Sequence, residues 1–164
     1  IRYMLHISMP MVLIPGIIRI RRHRVILFSK NHMYWAKKCE KYKNILVLPR
    51  SPDFIDALAC SAGLISQPSR GVVTQAIALG KPVYLFCPKG HVEQELNYKL
   101  YLSQYEGIGS PSTVTIEKWE KMEYNLVSQA QRMRSWLSQT DERIMRKIGS
   151  FLPLNYENQK ILER

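Results

Sequence analysis

Cysteine and acidic residues are both scarce in this chain, and each shortage excludes something. The only thiols among 164 residues are Cys39, Cys60 and Cys87, an odd number at wide spacing with no Cys-x-x-Cys or Cys/His ligand grouping. A disulfide framework and a zinc site are therefore set aside, and buried, reduced thiols in a cytosolic protein are expected. Long hydrophobic runs are missing too. The apolar stretch 3–18 is cut by His6, Pro10, Pro15 and Gly16, and it has neither a basic leader nor a cleavage-site pattern. It is too short to span a bilayer, so no membrane-crossing segment is expected. Internal repeats and low-complexity segments are also lacking. The chain opens at Ile1 without a methionine, which suits a fragment or a processed chain.

Only 13 acidic residues stand against 24 Lys and Arg, a net charge of +11 with a pI near 9.7. Such a surplus calls for an anionic partner or a solvated basic surface. The densest cluster is Arg19, Arg21, Arg22 and Arg24, followed by Lys37, Lys38, Lys41 and Lys43, then Arg132, Arg134, Arg143, Arg146 and Lys147. No aromatic RNA-binding motif, zinc finger or helix-turn-helix pattern accompanies it, so nucleic acid is the least favoured partner. A solvated face and attraction to an anionic membrane surface both remain open.

Short apolar runs alternate with helical stretches. Strands are predicted at 3–8, 24–29, 44–48, 63–66 and 83–87. Helices are predicted over 15–22, 35–43, from 51–53 to about 61, from the turn at 67–71 to 79, and over 92–104. Ser51 or Asp53 is placed to cap the third of these, and Phe54, Ile55, Leu58 and Ala59 form its apolar face. Gly80 is positioned to close a helix in the left-handed conformation. Gly107, Gly109 and Pro111 mark a loop. From Thr115 the chain loses strand character and reads as helix until Pro153 and Asn155. The alternation implies right-handed crossovers in a parallel sheet. The expected fold is α/β, a Rossmann-like doubly wound parallel sheet over residues 1–112 with a helical C-terminal extension over 113–164 packed on the same domain.

The most informative segment is I-S-Q-P-S-R-G-V-V-T-Q-A-I-A-L-G-K-P-V-Y-L-F-C-P-K-G-H-V-E-Q-E-L-N, from Ile65 to Asn97. Strand, small-residue turn, helix, Gly80-Lys81-Pro82, strand and a polar helix start follow one another. Two helix N-termini thereby open on one side of the sheet, where open α/β folds hold phosphorylated ligands. This pattern resembles the C-terminal, nucleotide-sugar-binding half of GT-B glycosyltransferases, and most closely the MurG-like, family-28 type. The likeness extends over about 24–109.

The resemblance implies roles for particular residues. The diphosphate would meet Ser69, Arg70 and Gly71, although relatives carry a glycine pair or Ala-Gly where this chain has Pro68-Ser69-Arg70. The ribose would meet Gln75, where relatives have a glutamate; an amide offers one acceptor oxygen and no charge. His91, Glu93, Gln94 and Asn97 match the segment that meets the donor sugar, and residues 49–54 match the seat of the base. Gly80-Lys81-Pro82 reads as a helix stop and strand entry, with Lys81 solvated. His6, His23 and His32 have no recognisable partners.

Two function classes follow. One is the donor-binding half of an inverting glycosyltransferase using a nucleotide diphosphate sugar, uridine-linked by the resemblance, with no obligatory metal or cofactor. Its acceptor half and general base would lie in another domain or a partner subunit. The expected place is the cytoplasm, with a basic surface suited to peripheral membrane contact. The other is a non-catalytic nucleotide-sensing or protein-interaction scaffold, favoured by the departures at Ser69 and Gln75. A sugar-nucleotide epimerase of the same architecture is a weaker third.

Overall fold

Parallel strands need a crossover of a dozen or so residues between them, and from residue 30 onward helices supply these crossovers. The computed structural model describes residues 3–7, 20 and 23–151. The strands are β1 (Tyr3–Ile7), β2 (Arg24–Ser29), β3 (Ile45–Pro49), β4 (Gly63–Ser66), β5 (Val83–Leu85) and β6 (Ile108–Gly109). The helices are α1 (His32–Cys39), α2 (Phe54–Cys60), α3 (Arg70–Ala78), α4 (Val92–Gln104), α5 (Ile116–Trp119) and α6 (Val127–Phe151). The strands form one sheet in the order β3-β2-β1-β4-β5-β6, every pairing parallel. This is the doubly wound, Rossmann-like arrangement, and it reverses direction between β1 and β4.

Period-two alternation along the strands splits the interior into two cores, because successive side chains point to opposite faces. Leu64, Val83 and Leu85 join Leu58, Val73, Ile77, Tyr101 and Met133 beneath α2, α3, α4 and α6. Ile65 and Tyr84, their neighbours along the same strands, join Val25, Ile116 and Trp119 on the other face. Both sides of the sheet are thus apolar, which is why β4 reads as a continuous buried run. The start of α6 packs on α3 through Ala130 and Met133, while residues 142–147 further along it are exposed.

Several expectations need correction. The first described helix begins at His32 and stops at Cys39, because the Lys37–Lys43 charges continue past the buried Trp35 and Cys39 that anchor it. Neither Ser51 nor Asp53 caps α2; the Ser51 hydroxyl instead donates to Asp53 Oδ2 at 2.8 Å. The inner face of α2 carries Phe54, Ala57 and Leu58, while Ile55 and Ala59 face outward. β5 stops at Leu85, two residues early.

Gly109 lies in β6 rather than in a loop. A Cβ there would come within 2.6 Å of the Trp119 ring, so glycine is the condition for this strand to pass that indole. The C-terminal run is not continuous helix: α5 ends at Trp119, and α6 starts only at Val127. Of the thiols only Cys39 is buried; Cys60 is exposed at the outer end of α2, and Cys87 is half-buried. His23 does have a partner, Glu120, which ties the entry of β2 to the end of α5. Lys81 donates from Nζ to the Ser61 carbonyl at 2.8 Å rather than lying free in solvent. The predicted helix over 15–22 and the break at Pro153 and Asn155 lie outside the described residues, apart from Ile20, which is buried. Gly80 closes α3 with φ +68°, as the sequence predicts.

Candidate functional site

Open α/β sheets bind ligands at the carboxyl ends of the strands where the order reverses, because loops diverge there and leave a crevice. In this chain β1 and β4 flank the reversal, with Ile7 and Ser66 in register at their ends. A cleft of about 470 Å³ opens beside Ser66. Its apolar wall is Phe28 at the end of β2 and Phe54 at the start of α2, packed edge to face with centroids 5.6 Å apart. Arg50 and Ser51 enter from the loop after β3, Gln67 and Ser69 from the loop after β4, and Gln94 from the first turn of α4.

The loop after β4 turns tightly, the Ser69 N–H donating to the Gln67 carbonyl at 2.7 Å. Ser69 is the residue before α3, in extended conformation, and its hydroxyl makes no capping bond. The amides of Arg70, Gly71 and Val72 have no acceptor within the helix, since the first turn leaves its N–H groups unpaired. With the helix dipole behind them, they present a positive end to whatever lies ahead. A Cβ added at Gly71 would meet nothing within 4 Å, so there is open space in front of this turn.

The polar start of α4 is divided in its roles. Asn97 is buried and donates from Nδ2 to the Pro68 carbonyl at 3.2 Å, which fixes the turn to the helix. Gln94 donates from Nε2 to Gln67 Oε1 at 3.4 Å, but its own Oε1 is buried and accepts nothing. A buried acceptor without a donor is uncommon in a folded protein and is satisfied when a hydroxyl or N–H arrives. Glu95 accepts from the Gly90 N–H at 2.9 Å and shapes the loop before α4.

The structure therefore brings Ser69 and Gln94 into one cleft with the 49–54 loop. His91 and Glu93 are exposed at the start of α4 and do not line it, and Gln75 is exposed one helical turn beyond the lining residue Val72. Arg70 lines a separate cleft on the other side of the α3 N-terminus. Phe28, Ser66 and Gln67 line the first cleft without having been singled out from sequence, whereas Arg50 falls in the 49–54 loop expected to seat the base. Their signal was positional, as the last or first residues at strand ends. Among the described residues no His, Cys, Asp or Glu group could hold a metal ion.

No family model and no curated protein matches this sequence. Solved structures do match. The kitacinnamycin glycotransferase superposes with a TM-score of 0.65 at 12% identity, over 87% of this chain and 43% of that one. The glycosyltransferase SnogD from Streptomyces nogalater gives 0.57 at 13% identity, over 88% and 42%. UGT89C1 from Arabidopsis thaliana, solved with UDP, gives 0.51 at 10% identity, over 83% and 42%. The Rossmann-like fold of this chain is one that these glycosyltransferase structures share. At these identities the likeness is one of fold, and the chain spans less than half the length of these structures. No described helix is long and apolar enough to cross a membrane.

Proposed function

We propose that this chain is the donor-binding half of an inverting glycosyltransferase that uses a uridine diphosphate sugar, of the MurG-like, family-28 type. The observation that carries the reading is the cleft at the sheet reversal, lined both by Ser69 and Val72 at the start of α3 and by Gln94, whose buried Oε1 is unsatisfied. In this reading the base lies along Phe54 and the loop after β3. Gln75 accepts from a ribose hydroxyl. Ser69, Arg70 and Gly71 meet the diphosphate through their backbone amides and the Ser69 hydroxyl. The donor sugar lies toward His91, Glu93, Gln94 and Asn97, and Gln94 Oε1 takes one of its hydroxyls.

The chemistry asked of this half is leaving-group stabilisation. An acceptor oxygen attacks the anomeric carbon, the bond from that carbon to the diphosphate breaks, and the electron pair departs with the diphosphate. Fixed N–H donors aimed at that developing charge lower the barrier, and they serve without calling on a metal. The proton leaves the acceptor to a base in another domain or a partner subunit. The reading sets the chain in the cytoplasm, and its +11 charge suits an acceptor carried on an anionic membrane surface.

Calorimetric titration with UDP, UDP-N-acetylglucosamine and GDP tests this. Saturable uridine-nucleotide binding that falls about tenfold in Gln94→Ala is expected, the scale of one lost buried hydrogen bond. Absence of binding at millimolar nucleotide sinks it. That result would favour the scaffold reading, which rests on Ser69 standing where relatives keep glycine and Gln75 where they keep glutamate.

A further inference from the structure

A second cleft, of about 440 Å³, lies between α3, α4 and α6, away from the sheet reversal. Its size falls within the range of small-molecule sites. Two guanidinium groups border it, Arg70 at the start of α3 and Arg132 on α6, and no carboxylate is among the residues that line it. Neither arginine has an ion-pair partner among the described residues. The aromatic part is Tyr101, Tyr105 and Trp136. Tyr101 is fixed: its hydroxyl donates to the Arg70 carbonyl at 3.4 Å, and its ring packs on Tyr105 at 5.8 Å. Trp136 is 53% exposed, whereas Trp35 and Trp119 are buried, so one large ring is left uncovered at the edge of a cationic hollow.

We propose that this cleft binds a small anionic saccharide, a sugar phosphate or a uronate. Each part of that ligand has a counterpart here. The C–H face of a pyranose lies on an exposed indole, which buries apolar surface on both. Its anionic group takes charge-assisted forks from Arg70 and Arg132. Its hydroxyls find the polar groups of Thr74 and Gln104, which also line the cleft. A purely aromatic anion would leave those polar side chains unmatched. Gln129 contributes rigidity, because its amide clasps the Glu106 backbone at both N–H (2.8 Å) and carbonyl (3.1 Å) and so holds α6 against the end of α4.

The site is independent of the donor reading. It shares only the first turn of α3, where Ser69 faces one cleft and Arg70 the other.

The experiment is ligand-observed NMR and Trp fluorescence on the full chain with α-D-glucose 1-phosphate, D-glucuronate and neutral methyl α-D-glucoside. The variants are Arg132→Gln and Trp136→Ala, both at exposed positions, with folding checked by circular dichroism. Saturable binding of at least one anionic sugar is expected, weaker by about tenfold or more in each variant, as for loss of one charge-assisted contact. The neutral glucoside should bind far less. Whichever of the phosphate and the carboxylate binds more tightly identifies the anion. The proposal is overturned if neither anionic sugar binds at millimolar concentration, or if the glucoside binds equally well. It is also overturned if folded Arg132→Gln and Trp136→Ala bind as the parent does, or if saturating UDP displaces the sugar, since it would then occupy the other cleft. The variant measurements decide the matter even if UDP itself does not bind.

Discussion

Two glycines in different surroundings make a useful pair. Gly109 in β6 is pressed against the Trp119 ring, and a Cβ there would collide at 2.6 Å. Gly71 in the first turn of α3 has nothing within 4 Å of where its Cβ would be. At the β6 edge the protein fills its own space: Trp119 is 1% exposed and also reaches Gly63, where an added Cβ would lie a tight 3.1 Å from the ring. At the α3 turn the space is left open and a buried acceptor nearby goes unsatisfied. The same residue type is thus enclosed in one region and open in the other. Only the surroundings distinguish them.

The largest effect should come from emptying the packed end. Trp119→Ala removes a fully buried ring touching Tyr84 at a centroid distance of 5.3 Å, and should cost about 3–5 kcal/mol in urea unfolding. Gly109→Ala overfills the same place and should cost about 1–3 kcal/mol. A loss under half a kcal/mol in both would show that the indole is not the keystone of this face. Neither change should alter nucleotide titrations of the folded protein, because both lie on the face of the sheet away from α3 and α4.

How much of this was legible in the sequence depends on which forces were local. The parallel sheet and the start of α3 follow from apolar runs broken by small residues, and 63–66 reads as a buried strand because all four residues are buried, with Leu64 and Ile65 entering opposite cores. What escaped depended on distant partners. Gly109 reads as a loop residue because nothing nearby in sequence announces Trp119. His23 looks unattached because Glu120 is 97 residues away. In the crevice, Ser69 and Gln94 follow from the family resemblance rather than from the pattern of elements alone. The turning of Arg70 toward the other cleft was not legible, because one residue of helix is a rotation of about 100° and the pattern does not fix its phase. Phe28 went unnoticed since its role comes from Phe54, against which it stacks.

The open glycine gives the sharper of the remaining contrasts. Gly71→Ala is sterically free and replaces the poorest helix former short of proline, so stability should rise, by up to about 1 kcal/mol. If the turn receives a diphosphate, the added methyl should at the same time weaken UDP binding several-fold. Gain in stability with unchanged nucleotide affinity would remove Gly71 from the site while leaving the packing comparison intact.

The smallest effect tests the packed end from its chemistry. The Tyr84 hydroxyl donates to the Val114 carbonyl at 2.8 Å, and burial first, then the Glu117 charge and Tyr98, push its pKa up to about 12 from 10. Its ionised form is thus disfavoured in the folded protein. The contribution to stability is whole below pH 10, where the unfolded tyrosine is also neutral. It is lost as the pH rises from 10 through 12, because the unfolded chain releases this proton first. Tyr84→Phe forgoes the hydrogen bond and should cost about 0.5–1.5 kcal/mol at pH 8. The stabilities of parent and variant, followed by urea unfolding up to pH 11, should then converge, since only the parent loses the Tyr84 contribution in that window. Tyr101 and Tyr124 are raised as well, so both proteins should weaken with alkali, and the difference between them is the informative quantity. A gap that widens above pH 10 would mean the phenolate is accommodated at this face. The Trp119 end would then be wetter than its packing implies, and the distinction between the filled glycine and the open one would lose its physical basis.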